Sequence, residues 1–316
     1  MTYAQFGLVQ STDFNNLIGP NPGAGANLLN TTWATGSGSA GYGQTAIANV
    51  AVGDTVTAAK WATLVSNTAS AASHQGTSIS SVSTPVSGGT VTYQSAIPSN
   101  LSSIYSNRLN AALQGSTAAN TATRGSTWSQ AITFTHTATF ANGDAARYFF
   151  NAGGQLAMTV SHPTGTGINL LFNNLCSNVG TVVMSAPSSG TITVASVSYN
   201  GITKVGGGGN APTVDSTKGY YGLTTGNSTV FTQTASTGPS GYLSTFIRFI
   251  AKTSTPTGSN GDNGAIITVY TVWDEVPDGL IVASGSATTM TVKYPETTYL
   301  ANSWGTVSLA SSVTGV

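Results

Sequence analysis

A strict alternation of apolar and polar residues over residues 132–140 constrains the fold of this chain more than any other feature of its sequence. A period of two places successive side chains on opposite faces of an extended strand. One face would carry Ile132, Phe134, His136, Ala138 and Phe140, and the other Thr133, Thr135, Thr137 and Thr139. The pattern therefore predicts a β-strand with one buried face.

The rest of the second half of the chain has the same character. Further strands are predicted at residues 155–161, 180–185, 191–199, 245–252, 265–273 and 288–294. An Asn142–Asp144 turn is predicted to lead into another strand-like segment, Arg147–Asn151. Strands that follow one another without helical patterns between them are typical of antiparallel sheets. Residues 126–316 are therefore predicted to form an antiparallel β-sandwich or barrel-like domain in a mainly β protein.

Residues 1–125 show a different pattern, with short helices and Gly-rich connections. Three similar units cover segments 8–18, 55–65 and 94–104. Each begins near a hydroxyl residue that can cap a helix N-terminus, and these residues are Ser11, Thr57 and Ser95. In the first two units an aromatic residue and a leucine follow three positions apart, as on one face of a helix.

The second and third of these helices can be given approximate bounds. The second is predicted from Ala58 to about Ser73, with Gly76 as a left-handed C-cap. The third is predicted from Pro98 to about Leu113 and ends at Gly115.

One Gly-rich connection contains a possible nucleotide-binding pattern. Gly36, Gly38 and Gly41 match G-x-G-x-x-G, which marks a dinucleotide site only between a strand and a helix. No helical pattern follows here at once, so we predict no cofactor at this loop. Residues 116–127 are small and polar and are predicted to form a linker between region 1–125 and region 126–316.

Low charge excludes several classes of protein. Charged residues make up only 6 % of the chain, nine basic and nine acidic, with a net charge of zero. Such a balance cannot supply the phosphate-neutralising surface of a nucleic-acid binder or a polybasic membrane patch. No apolar run approaches the length of a membrane-spanning helix, and the start of the sequence shows no signal-peptide pattern. We therefore expect synthesis in a cytoplasm without processing, no partner nucleic acid and no membrane insertion.

Candidate catalytic or metal-binding side chains are few. The histidines lack metal-ligand spacing: we expect His136 in the core with one hydrogen bond, His74 at a helix C-terminus that favours a cation, and His162 exposed in a turn. The single cysteine, Cys176, is expected to be a buried and inert thiol.

The acidic residues offer two candidates. Asp274, Glu275 and Asp278 cluster in a segment with Pro and Gly, which predicts a solvated turn rather than a catalytic pair. Asp262 lies in a Gly- and Asn-rich loop whose oxygens could hold calcium, but the loop lacks the further carboxylates of a strong site. We therefore predict no catalytic, cofactor-binding or metal-binding residue and expect that the chain is not an enzyme.

Two loop tips are candidates for contact with a receptor, since binding residues concentrate on loops carried by a rigid scaffold. They are Lys204–Asn210 and Thr257–Gly264. Arg147 is expected to have a structural role, in which it pairs with a nearby acid or a backbone carbonyl at the start of a strand.

Several strings in the sequence, taken in order, resemble virion structural proteins of tailed bacteriophages, particularly those of aquatic and cyanobacterial phages. The most specific string is Ala146-Arg147-Tyr148-Phe149-Phe150-Asn151-Ala152-Gly153-Gly154. The others are residues 6–17, 61–64 leading to 73–76, 179–181 and 219–224. The similarity spans most of the chain.

The resemblance implies a component of the virus particle without enzyme activity, either a tail fibre or another tail-associated protein. Region 1–125 would attach to the tail, and the β domain would be distal, where a host-surface glycan could be a partner. Proteins of this kind form closed oligomers, and we expect a trimer that also contacts other virion proteins. The expected location is the virion, assembled in the host cytoplasm.

Two alternatives remain open. A head decoration or knob protein that binds capsid subunits would have the same composition. A glycan-binding or glycan-cleaving module belongs to a different class and needs exposed aromatic residues or convergent acids, which the low acid content makes a weaker alternative.

Overall fold

The computed structural model describes residues 10–19, 28–86 and 96–315. Four helices lie in the first part of the chain: α1 (Ser11–Ile18), α2 (Leu29–Trp33), α3 (Ala58–Gln75) and α4 (Ala96–Ser106). Two more, α5 (Gly143–Asn151) and α6 (Ile168–Val179), lie between strands, and a short 3-10 helix covers Tyr220–Gly222. Among the described residues, no helix is long and apolar enough to cross a membrane.

Strands dominate the rest of the chain. In order, they are β1 (Gln114–Thr123), β2 (Ala131–Thr139), β3 (Gln155–Ser161), β4 (Thr181–Met184), β5 (Ile192–Val194), β6 (Val197–Tyr199), β7 (Ile202–Val205), β8 (Thr213–Val214), β9 (Ser228–Thr234), β10 (Phe246–Thr253), β11 (Ile266–Asp274), β12 (Ala287–Pro295) and β13 (Ser308–Gly315). Neighbouring strands in every sheet run antiparallel. The prediction of a mainly β, antiparallel fold is confirmed.

Two large sheets form the body of the protein. One has five strands in the order β1-β12-β3-β4-β7, and the other has six in the order β13-β2-β11-β10-β9-β8. Leu156, Met158 and Val182 of the first sheet meet Phe249 and Val269 of the second around a small apolar gap. The two sheets therefore pack face to face as a sandwich, and the hairpin β5-β6 covers part of the outer face of the five-stranded sheet through Ile192 and Val194.

The alternation that predicted β2 is present in the structure. Burial alternates along the whole strand, and Ile132, Phe134 and His136 are fully buried between the sheets. On either side, β2 is hydrogen-bonded to β11 and β13, which makes it an inner strand of the six-stranded sheet.

The prediction of a strand-like segment at Arg147–Asn151 is wrong, because these residues belong to helix α5. Asn142 begins the helix by accepting a hydrogen bond from the backbone N–H of Ala145 at 2.8 Å. Ala145, Ala146, Phe149 and Phe150 are buried, and their spacing is that of one helix face. Two adjacent phenylalanines can both be buried on such a face, although in a strand they would point to opposite sides.

The expectation that no helix lies between the strands is also wrong at α6. Its buried residues are Ile168, Leu171, Phe172, Leu175, Cys176 and Val179, which follow the helical period of 3.6. Gly167 precedes the helix, and Gly180 follows it and separates it from β4. The helix packs on β3 and along β9 and β10.

Residues 116–127 were predicted to be a linker, but most of them lie in strand β1, which pairs with β12. Small polar residues are compatible with a strand at a sheet edge, where one side faces water. The buried core is continuous across the predicted boundary and includes Phe14 and Trp61 with Phe149 and Trp273. The division into regions 1–125 and 126–316 stays a prediction.

The helices of the first part follow the predictions in part. Thr57 caps α3 by accepting a hydrogen bond from the Lys60 N–H at 3.3 Å, and Gly76 ends it with φ 67°, as predicted. Helix α1 is preceded by Gln10 as its cap rather than Ser11, and Ser95 lies outside the described residues.

Helix α4 ends at Ser106, earlier than Leu113. After the helix, Ala111 forms backbone hydrogen bonds with the β5–β6 hairpin, at 2.9 Å to Thr193 and 2.8 Å to Ala195, which a helix as far as Leu113 would not allow.

Candidate functional site

The most specific string of the resemblance, residues 146–154, forms the centre of a polar cluster. Arg147 of α5 is fully buried. Its guanidinium donates hydrogen bonds to backbone carbonyls of the Gly-rich segment 35–41, at 2.7 Å to Thr35 and 2.6 Å to Ala40. A charged side chain thus joins the β part of the chain to a segment that lies more than a hundred residues earlier.

Two further side chains bind the same segment. Asn151, one helical turn after Arg147, donates to the carbonyls of Gly38 and Gly41 at 3.1 and 3.0 Å. The Tyr221 hydroxyl lies 2.6 Å from the Gly38 carbonyl. Burial raises the pKa of Tyr221, so this hydroxyl stays protonated and can donate. We call Arg147, Asn151 and Tyr221 the clamp.

Asp144 completes the electrostatics of the clamp. Its carboxylate forms an ion pair with Arg147 at 3.0 Å and accepts a hydrogen bond from the Asn260 amide at 3.0 Å. Asn260 in turn accepts from the Gly38 N–H through its backbone carbonyl at 2.7 Å. The buried guanidinium is therefore compensated by one carboxylate and several carbonyl oxygens, as a buried charge requires.

The direction in which the backbone N–H and carbonyl groups of the Gly-rich segment point determines which kind of ion it can bind. A phosphate-binding loop directs its backbone N–H groups at the anion. Here the segment directs carbonyl oxygens inward, and the Arg147 cation occupies the position that they surround. At Gly41, φ is +96° and an added Cβ would lie 2.1 Å from the Thr35 carbonyl, so the glycine serves the tight path of the chain.

The loop Thr257–Gly264 is only partly an exposed tip. Asp262 is buried and accepts backbone hydrogen bonds from Gly258 at 2.7 Å and Gly264 at 2.9 Å. Its carboxylate oxygens thus bind N–H donors, whereas calcium would need them as ligands. Among the described residues, no group of three His, Cys, Asp or Glu side chains lies close enough to hold a metal ion.

The loop Lys204–Asn210 is exposed from Val205 onward, as predicted. Its base is fixed because the Lys204 ammonium donates to the Gly208 carbonyl at 3.2 Å and to the Gln233 side chain at 3.1 Å.

The acidic cluster after β11 is not a solvated turn throughout. Glu275 is fully buried and accepts a hydrogen bond from the Leu280 N–H at 2.8 Å, which fixes the segment that follows. Asp274 ends β11, and burial together with the charge of Asp278 raises its pKa. Glu275 therefore has a structural contact, and the expectation of full solvation is wrong for it.

The three histidines are all buried. His136 lies in the core as predicted. Burial lowers the pKa of both His74 and His136 to about 4. His74 lies in the last turn of α3, as predicted, but its burial favours the neutral ring over the cation, and the ring contacts the Ala152 carbonyl at 3.2 Å.

His162 was expected to be exposed, but only 5 % of it is accessible. Its ring nitrogens lie 2.9 Å from the Ser286 hydroxyl and 3.2 Å from the Asn169 amide oxygen. Cys176 is buried as predicted, and burial raises the pKa of its thiol.

The prediction that Arg147 pairs with an acid or a carbonyl is confirmed, although it lies in a helix and not at the start of a strand. The other members of the clamp were missed. Asp144, Arg147 and Asn151 lie on one helix face at positions i, i+3 and i+7. This spacing was the sequence pattern that could have indicated that the three side chains act together.

Comparison with known proteins gives no match, whether with protein families, curated proteins or solved structures.

Proposed function

We propose that this chain is a non-enzymatic structural component of a tailed-phage virion, most simply a tail fibre or tail-appendage subunit. Region 1–125 would attach it to the tail, and the β-sandwich would be distal. The observation that supports the proposal is the clamp. Arg147 and Asn151 belong to the string that most resembles phage virion proteins, and their buried hydrogen bonds hold two distant parts of the chain together.

The use of the other reactive side chains supports this proposal. Asp144 pairs with Arg147, Asp262 accepts backbone N–H groups, and Glu275 anchors the Leu280 N–H. His74 is buried and neutral, and the Cys176 thiol is buried with a raised pKa. Groups that an enzyme would present to a substrate are engaged here in holding the fold.

Composition supports a role in an assembly. With 6 % charged residues and a net charge of zero, copies of the chain repel each other little. We propose self-association into a closed oligomer, with a trimer expected, and contacts with other virion proteins. A host-surface glycan is a further proposed partner of the distal loops.

Gold-labelled antibody on purified particles, viewed by electron microscopy, tests the location. Label on the tail or its appendages is the expected result. Label over the head would overturn the tail assignment in favour of a head decoration protein. Particles without label, in a preparation where a known virion protein is labelled, would contradict the virion proposal itself.

The distal role has its own test. Replacement of the exposed glycines 206–209 by a shorter linker should reduce adsorption of particles to host cells if this loop contacts the host. Replacement at the exposed hairpin residues 196–198, on a different surface, is the matched control. Unchanged adsorption after the first replacement would reject this loop as a receptor contact.

A further inference from the structure

The two sides of the sandwich end in very different edge strands. On one side lie β7, with four residues, and β8, with two. On the other side lie β1, with ten residues, and β13, with eight. Cα atoms of β1 and β13 approach within 8 Å, so the long edges of both sheets lie together. We call the β7–β8 side the short side and the β1–β13 side the long side.

The short side is protected against strand addition. Its strands are short, and Lys204 stands on β7. Gln233, fully buried in β9, accepts from Lys204 and donates to the Asn210 carbonyl at 2.7 Å, while the Asn210 amide donates to Ala235 at 2.9 Å. Short edges, a lysine and a covering loop are the devices by which natural sheets avoid pairing with other chains.

Among the described residues, the long side lacks the short strands and the lysine, and the loop 302–306 lies beside the start of β1, where it lines a cavity with Gly115, Ser116 and Ala118. The sequences of β1 and β13, QGSTAANTAT and SLASSVTG, contain no charged residue and no proline. Within the described part of the chain, β1 is hydrogen-bonded only to β12 and β13 only to β2, so each presents one free row of backbone groups. Residues 116–119 of β1 and Ala310 and Ser312 of β13 are exposed.

We infer that the long side is where a second copy of this chain binds, by hydrogen bonding between edge strands. An unprotected edge of this length is a template for a further strand. The inference names a surface for the self-association in the proposed function and in that respect rests on it, but an edge that pairs with its own copy forms a two-fold dimer in place of the trimer expected there.

Two observations favour a copy of the same chain as the occupant. A free strand edge alternates N–H donors with carbonyl acceptors, so it is complementary to an identical edge that runs antiparallel. The two edge strands contain no charged residue, and the whole chain has a net charge of zero. Two copies therefore approach each other without electrostatic repulsion. A partner recruited by charge would find no charged group on these strands.

The test measures the molar mass of the purified full chain by light scattering. The test variant combines Ala310→Lys with Ser312→Lys, which places two charges on β13 at exposed positions. The control variant combines Thr213→Lys with Thr229→Lys, at exposed positions near the short side. We expect the wild type and the control to have the same mass, a multiple of 31.8 kDa, and the test variant to fall to 31.8 kDa.

Ala119→Lys, on the exposed part of β1, is a second test variant in case the first does not fold, and circular dichroism verifies the fold of each. A wild type of 31.8 kDa at every concentration would overturn the inference. So would folded long-side variants that keep the mass of the wild type. Antibody labelling tests the location of the protein independently of this result. Unlabelled particles contradict the virion proposal even if the long-side variants dissociate. Labelled tails support the virion proposal even if the long-side variants stay associated.

Discussion

The clamp and the long side of the sandwich use the chemistry of this chain in opposite ways. At the clamp, a buried arginine is surrounded by a carboxylate and backbone carbonyls. At the long side, the edge strands of ten and eight residues carry no charge, and residues 116–119, Ala310 and Ser312 are exposed. The buried charge of Arg147 at the clamp thus stabilises the single chain from inside, while the neutral edge strands each keep a free row of backbone groups in the part of the chain that the structure describes. Damage to each region should therefore have a different consequence.

The largest effect is expected at Arg147. Arg147→Met removes the cation and leaves the Asp144 carboxylate and the carbonyls of Thr35 and Ala40 without their donor. Because the Asp144 side chain is 30 % exposed, most of the loss comes from the buried carbonyls left without a donor, and the free energy of unfolding should fall by about 3 kcal/mol, measured by urea denaturation.

Arg124→Met is the matched control for this variant. The Nε atom of Arg124 is buried without a hydrogen-bond partner in the described part of the chain, so a change of at most about 1 kcal/mol is expected. Equal losses in both variants would contradict the role given to the clamp.

The second largest effect on stability is expected from acid, through protonation of the buried His74. The pKa of His74 is about 4 in the folded protein, lowered by burial from an ordinary value of 6.5. The unfolded chain therefore binds the proton more readily, and stability falls as the pH decreases from 6.5 to 4. For this group alone the loss is about 3 kcal/mol, measured as the free energy of unfolding against pH.

The control is His74→Gln, which keeps a donor for the Ala152 carbonyl but does not titrate. Its stability should fall less steeply over the same interval. An identical slope would show that His74 is not responsible.

A smaller loss is expected where α5 meets the loop at Asp262. Gly143→Ala would place a methyl carbon 2.2 Å from the Asp262 carboxylate, so one of the two segments must move. Overpacking of this kind costs about 1–3 kcal/mol, seen as a lower midpoint of thermal unfolding. Gly125→Ala, with open space around its Cβ, should leave the midpoint unchanged, and a shift of equal size there would refute the steric explanation.

The smallest effect on folding is expected at the long side. In dilute solution, Ala310→Lys with Ser312→Lys should change the free energy of unfolding by less than about 0.5 kcal/mol, because both positions are exposed. Urea denaturation measures it. A large loss would mean that β13 is needed for the fold itself, and the contrast with the clamp would fail.

Local patterns predicted the fold where one face of an element is buried. The alternation in β2 and the cap residues of α3 gave correct elements from a few neighbouring residues. Helix α5 was misread because its two adjacent phenylalanines fit a strand as well as a helix over five residues. Strand β1 was misread because an edge strand of small polar residues has the composition of a loop.

The clamp could be predicted only in part. That Arg147 needs an acid or carbonyl partner follows from the cost of burying a guanidinium, and Asp144 lies three residues away. The partners Thr35 and Ala40 lie more than a hundred residues earlier, and no local pattern shows that the chain returns to this point. The same holds for the burial of His74 and His162, which tertiary packing alone determines.

Hydrogen–deuterium exchange of the backbone amides in β13, followed at increasing protein concentration, tests the contrast most directly. About half of these amides face β2 and should be protected at every concentration. The account predicts that the other half becomes protected as copies associate, while the amides of β8 do not change. Outward amides of β13 that exchange equally fast at all concentrations would contradict it.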